Sequence, residues 1–333
     1  MRKITAALLA VLLVLTLSGC TAFNNTEKGL DFLVSSIGFD QKDDVFSVHL
    51  ETLTVNSEDS EPDKKLTLIT GNGKNLTEAL DDAYKKSMRP FLYSHCAVAV
   101  IGEGISEKGF RNICTFLYNR DEINLSLRFV YTKNAETLLN CDTVASVAVG
   151  YDLADALKFQ KDLNGTVYKN RFYEIEALRR NYSGTFALPR FSVEDKKHSI
   201  TGLTVFKNDL AVIDLSIPES VIYSAVTSAI KNGNILLNHQ NYTLNNASIK
   251  KTFNLNENLN TKITLKLNLQ GDGNIKPQIT ETITQIYNLS KEKGADVFML
   301  ANEIAIKKPD LWRSLKHNFP LYYKNSSLEV NVI

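Results

Sequence analysis

Cys96-Ala97-Val98-Ala99-Val100-Ile101 is an unbroken apolar run of strand length. A strand with one face in water alternates apolar and polar residues. A run with no polar position suits a strand covered on both faces, in the middle of a sheet. The flanking sequence supplies the covers. Asn75-Leu76-Thr77-Glu78 sets a capping side chain before a helix, with Glu78 at the third helical position. Leu76, Ala79, Leu80 and Ala83 follow at helical spacing, and Pro90 is the expected stop. On the other side, Ser106 caps a helix whose Phe110, Ile113, Cys114 and Leu117 share one face. Leu125, Leu127, Phe129 and Tyr131 then alternate as another strand.

Farther out, Phe32–Ile37 and Val45–Val55 read as strands joined by the polar segment Asp40–Asp44. In the second, Phe46, Val48 and Leu50 alternate with Ser47 and His49. Leu66–Ile69 is a short third strand after a solvated loop over 56–64. Helical stretches are expected over 134–140, 151–159 and Tyr173–Arg180. Pro189–Ser199 is charged and punctuated, and reads as a domain boundary or a linker.

Beyond it, Leu203–Phe206 and Leu210–Leu215 form a hairpin around Lys207-Asn208-Asp209. Pro218 leads a helix through Ile230, with Gly233 at its end. Strands follow at Ile235–Leu237, Ala247–Phe253 and Thr261–Leu269, and Gly271–Pro277 is a turn region. A long helix over Glu281–Lys293 comes next, with Ile283, Ile286, Tyr287 and Leu289 on its apolar side and a break at Gly294. A second helix is expected over Ala295–Lys308. Trp312, Phe319 and Leu321 supply bulky packing, and Leu328–Ile333 is a closing strand. The expected fold class is α+β and multidomain: mixed, mainly antiparallel β-sheets packed with α-helices, with a long C-terminal helix.

At the other end of the chain, Arg2 and Lys3 precede an uncharged apolar stretch from Ile4 to Leu17, then Leu17-Ser18-Gly19-Cys20. A positive start, a short apolar run and small residues before a cut are the marks of an export leader. The run is shorter than the roughly 20 residues of a membrane-spanning helix. Leu17, Ser18 and Gly19 form a lipobox and Cys20 is the lipidation site. Its thiol accepts a diacylglyceryl group and becomes the new first residue. A plain signal peptide or a single-pass anchor are the other readings. The division expected is therefore leader 1–19, lipidated tether 20–30, α/β domain 31–190, and a second domain 191–333 divisible into two subdomains.

Composition is that of a globular chain, 44% hydrophobic and 23% charged. Without the leader, two of 38 basic residues are lost, leaving 36 against 37 acidic and a net charge of −1. That balance argues neither for nucleic acid nor for electrostatic membrane binding. With Cys20 lipidated, Cys96, Cys114 and Cys141 are an odd set, best read as buried free thiols.

Catalytic patterns are absent from the sequence. Gly71-Asn72-Gly73-Lys74 lacks the ending and spacing of a phosphate loop and reads as a strand-to-helix turn. Gly102-Glu103-Gly104 is too short for a dinucleotide fingerprint. His49, His95, His198, His239 and His317 have no ligand spacing. Asp40, Asp43 and Asp44 read as a solvated hairpin tip rather than a cation site, and Asp296 as a local helix cap or tertiary contact. No catalytic residue, cofactor or metal ligand is assigned.

Three stretches resemble the Ger(x)C family, the C subunits of bacterial spore nutrient-germinant receptors. The first is Phe91 to Glu103, followed after a helix by Asn119-Arg120-Asp121-Glu122-Ile123. The second runs from Ile200 to Leu215, with Gly202, Val205-Phe206-Lys207 and Leu210, continued by Glu219 and Gly233. The third is Ala295-Asp296-Val297-Phe298, then Lys307–Pro309 and Leu311-Trp312. Their order and spacing, with the lipobox, carry the resemblance across nearly the whole chain. It implies a non-enzymatic lipoprotein on the outer face of the cell membrane or inner spore membrane. Its partners would be that membrane, through the N-terminal lipid, and two integral-membrane receptor subunits, with nutrients sensed by the whole complex. The alternative is a lipid-anchored solute-binding protein, which predicts two similar lobes around a cleft.

Overall fold

The computed structural model describes residues 32–55, 64–163, 169–228, 230, 232–237, 240–255, 258–270 and 274–333. Its first sheet has nine strands. They are β1 (Phe32–Lys42), β2 (Val45–Val55), β3 (Lys64–Gly73), β4 (Phe91–Leu92), β5 (Val98–Gly102), β6 (Arg128–Thr132), β7 (Thr185–Glu194), β8 (Lys197–Lys207) and β9 (Leu210–Leu215). The order is β3-β2-β1-β5-β6-β7-β8-β9, with β4 added to the start of β1. The centre, β1-β5-β6-β7, is parallel, and an antiparallel meander extends each side.

The apolar run at 96–101 is the middle of this sheet. All five residues of β5 are buried. Ala99 and Ile101 face one core, Val98 and Val100 the other. The first core is closed by α1 (Leu76–Ser87), α2 (Glu107–Tyr118) and α5 (Phe172–Arg179), and the second by α3 (Ala135–Leu139) and α4 (Val149–Leu163). Two-sided cover explains why a strand here needs no polar position. It also explains β6, where Phe129, Val130, Tyr131 and Thr132 are all buried. The strand starts only at Arg128, and Leu125 of the expected alternation lies outside it, exposed.

Helix α1 starts as expected. Glu78 N donates to Asn75 Oδ1 at 3.0 Å, but the Glu78 carboxylate reaches back to Lys74 N, one residue earlier than a standard box. Its end precedes Pro90: Met88 takes a left-handed conformation (φ 54) and closes the helix. Gly71 and Gly73 are not a turn but the last residues of β3. A Cβ on Gly71 would lie 2.0 Å from the Ala79 carbonyl oxygen, and one on Gly73 2.4 Å from Ala79 N. The helix backbone lies directly on the strand, and only glycine admits it.

Pro189–Ser199 is not a linker. It forms most of β7 and the start of β8, joined by a two-residue turn at Asp195-Lys196 with φ 47 and 59. The hairpin around Asn208-Asp209 is as expected. Strands β7–β9 serve all three cores, with Phe191 in the second. Phe186, Leu188 and Phe206 pack in the first, while Ala187, Leu203, Val205, Ile213 and Leu215 pack into a third.

That third core belongs to the C-terminal half. Helix α6 (Ile217–Thr227) begins with a capping box between Ser216 and Glu219. A four-stranded sheet follows, in the order β10 (Asn232–Leu237), β11 (Gln240–Leu255), β12 (Leu259–Gln270) and β13 (Ser327–Val332). Gly233 therefore lies in a strand rather than at a helix end. The long helix α7 (Lys276–Glu292) buries Ile279, Ile283, Ile286 and Tyr287. Gly294, at φ 62, ends the turn behind it. The next helix, α8 (Leu300–Lys307), starts five residues later than expected, and α9 (Pro309–Leu315) and α10 (Phe319–Lys324) complete the half. Trp312 and Phe319 are buried; Leu321 is 61% exposed and packs on nothing central. Strand β13 closes the sheet parallel to β12.

Candidate functional site

Cys20 and the lipobox residues Leu17, Ser18 and Gly19 lie outside the described residues, as does His239. The other sites weighed from sequence are placed as follows. Asp40 is turned inward: its carboxylate accepts from Ala135 N at 3.0 Å and Glu136 N at 3.2 Å, and meets His49 Nε2 at 3.1 Å. Burial works to raise its pKa, but the His49 contact and the two amides outweigh it and hold it below the ordinary value. Asp43 and Asp44 remain exposed at the tip. Cys96, Cys114 and Cys141 are buried and free, and burial raises the thiol pKa of each, Cys96 to about 12. Such thiols are inert. No three His, Cys, Asp or Glu side chains gather in metal-binding range among the described residues.

Polar chemistry concentrates instead where the two halves meet. Asp296 is buried in the stretch before α8, and its two carboxylate oxygens accept from Leu300 N and Ala301 N, each at 2.8 Å. The helix cap read from sequence is thus formed. Across the seam, Ser183 Oγ donates to the Asp296 carbonyl oxygen at 3.0 Å, and Lys207 Nζ donates to the Ser183 carbonyl oxygen at 2.7 Å. From the other side, Lys251 Nζ donates to the Phe298 carbonyl oxygen and to Glu303 Oε1. Complete burial raises the Asp296 pKa, against the two amides and the ammoniums of Lys251 and Lys207. Burial likewise lowers the pKa of Lys207 and of Lys251.

Aromatic rings line the same seam. Tyr182 and Trp312 lie 4.9 Å apart between centroids, and Trp312 meets Phe319 edge to face at 5.4 Å. Tyr323 hydroxyl bonds Ser290 Oγ and the Ala295 carbonyl oxygen, while Tyr287 hydroxyl bonds Ser326 Oγ. A cavity of about 400 Å³ opens here between Tyr182, Lys207, Asp296, Trp312 and His317. A second, of about 610 Å³, lies at the carboxyl ends of β5 and β6 beside Glu103, Tyr131 and Arg190. Arg190 is paired with Asp214 at 2.6 Å. In the first cavity the Ser183 hydroxyl is committed to the Asp296 carbonyl oxygen, and Lys207 Nζ to the Ser183 carbonyl oxygen. The seam joins the halves by hydrogen bonds that a displacement of either must break. Of its polar groups only Asp296 was read from sequence as a cap or tertiary contact; Lys207 was read as a hairpin residue and Trp312 and Phe319 as packing. The bonds of Ser183 to Asp296 and of Lys207 to Ser183 leave no local signal, because the partners are 113 and 24 residues apart.

Two family models match the chain in succession. The spore germination protein N-terminal domain covers residues 32–193, and the spore germination B3/GerAC-like C-terminal domain covers residues 201–333. Among solved structures, the crystal structure of the GerBC protein matches with a TM-score of 0.55 and 17% identity, over 89% of this chain and 95% of that one. At that identity the likeness is one of fold. A comparison with curated proteins returned no match. Matched in order over both halves, the chain belongs to the GerAC-like family of spore germination proteins, and is a C subunit of a spore germinant receptor.

Proposed function

We propose that the protein works as a lipid-anchored body on the outer face of the cell membrane or inner spore membrane, held there by a diacylglyceryl group on Cys20. Two integral-membrane subunits stand beside it, and it supports nutrient sensing by the assembled receptor. The observation that carries this reading is the match of both halves to germination families, on a chain that carries Leu17-Ser18-Gly19-Cys20 after an apolar stretch. Among the described residues no helix is long and apolar enough to cross a membrane; the lipid on Cys20 is the anchor proposed here. The rival solute-binding reading asks for two similar lobes, and the halves differ: nine mixed strands against four.

The test is affinity purification of the tagged chain from detergent-solubilised spore membranes. Two multi-spanning proteins should co-purify in constant proportion. Recovery of the chain alone under conditions that preserve other membrane complexes contradicts the proposal.

A further inference from the structure

The end of the first sheet where the chain enters the fold has an unusual surface. Strands β1, β4, β5 and β6 run parallel and start there, at Phe32, Phe91, Val98 and Arg128. Phe32 N donates to the Pro90 carbonyl oxygen at 3.0 Å, tying the first described residue to the loop after α1. In that loop Met88 is 91% exposed. Leu92 beside it, Tyr118 at the end of α2 and Leu125 before β6 are exposed as well.

Met88 is the more telling because its backbone is left-handed (φ 54), a helix-ending position that glycine fills without strain. Met299 has the same conformation (φ 56) but is 9% exposed, so core packing accounts for its side chain. No packing accounts for Met88. Two guanidiniums lie at the same end, Arg89 over the Phe32 ring at 5.5 Å and Arg120 over the Phe116 ring at 4.7 Å. Neither has a carboxylate partner among the described residues, and Arg120 Nε is buried without a hydrogen bond.

We propose that this end of the sheet rests on the phospholipid surface, with Met88 and Leu92 entering the interface and Arg89 and Arg120 meeting headgroup phosphates. The inference rests on the Cys20 anchor. The 12 residues from Cys20 to Asp31 span at most about 40 Å when fully extended, and they lead to this end. Exposed apolar tips beside cations that keep their charge at the headgroups are the chemistry of an interfacial contact. Asp121 and Glu122 lie on the connection to β6, and the sequence joining β2 to β3 carries Glu58, Asp59, Glu61 and Asp63. The contact therefore centres on the loop after α1 and needs no net anionic surface.

The full lipidated chain in phosphatidylcholine vesicles, with and without phosphatidylglycerol, provides the test. Met88→Cys and, as a second position, Leu92→Cys carry an environment-sensitive fluorophore. Asp44→Cys, in the turn at the opposite end of β1, is the control. The lipid blocks Cys20, and Cys96, Cys114 and Cys141 are buried. Labels at 88 or 92 should shift to the blue and lose fluorescence to a lipid-borne quencher in both vesicle types, while the label at 44 does neither. Equal, unquenched emission at all three positions on a chain that floats with the vesicles overturns the docking and leaves the anchor intact. A chain that does not float overturns the anchor itself. Protection of 88 only in membranes that contain the receptor subunits identifies a protein surface and also overturns the proposal.

Discussion

The Lys251 ammonium, with 2% of its side chain exposed, sits 2.7 Å from Glu303 Oε1 and 2.8 Å from the Phe298 carbonyl oxygen. A buried cation is tolerated when its donors are satisfied, and becomes costly when its counter-charge is removed. Glu303→Ala strands Lys251 and should cost about 2–3 kcal/mol, less than for a fully buried pair because Glu303 is partly exposed. Lys251→Met removes the charge with the need for it and should cost about 1 kcal/mol. Urea midpoints read from Trp312, the single tryptophan, separate the two. Equal losses in both variants contradict the account.

Asp296 supplies a pH signature. Burial raises its folded pKa above the unfolded value near 3.8. The folded state therefore holds the proton more readily, and this group's contribution to stability falls as pH rises from about 4 through the folded pKa. Asp296→Asn carries no charge at any pH and keeps one cap acceptor. Its stability relative to the parent should improve between pH 4 and pH 7. A gap that is constant, or that widens in favour of the parent, shows that the carboxylate's charge is favoured at the seam.

Glu51 is buried on β2 and accepts from four donors: Ser35 Oγ at 2.7 Å, Ser36 Oγ at 2.8 Å, Val149 N at 2.6 Å and Gly150 N at 2.8 Å. It ties β1 and the start of α4 together, and its charge complements the helix N-terminus. Glu51→Ala leaves Ser36 Oγ and the Val149 and Gly150 amides buried without this acceptor, while Ser35 Oγ keeps the residue-51 carbonyl oxygen, and should cost about 3 kcal/mol or more. Hydrogen exchange should quicken first in α4. Unchanged protection of Val149 and Gly150 amides contradicts that role.

Gly71→Ala brings a methyl group against the backbone of α1. Because the neighbour is a carbonyl rather than a flexible side chain, the helix must shift, at a cost of about 2–3 kcal/mol. Thermal melts should show the loss, and an unchanged melting temperature means α1 can slide on β3 freely.

The sequence was most legible where burial leaves a repeating mark. The run at 96–101 shows that it is covered on both faces because no position in it tolerates a polar side chain. The hairpin at Asn208-Asp209 was visible through its apolar flanks. The equivalent hairpin at Asp195-Lys196 was not: both turn residues take left-handed φ without glycine, and Arg190, Glu194, Lys197 and His198 made two strands resemble a solvated linker. Asp296 could be read as a cap because its amide partners are four and five residues away. Its seam partner Ser183 is 113 residues distant, and no local pattern records such a contact.

The most direct measurement is made on spores whose only copy of the protein carries Cys20→Ala. The account predicts that the chain leaves the inner-membrane fraction and that germination in response to nutrients falls. Normal membrane association together with undiminished germination to every nutrient tested would contradict it.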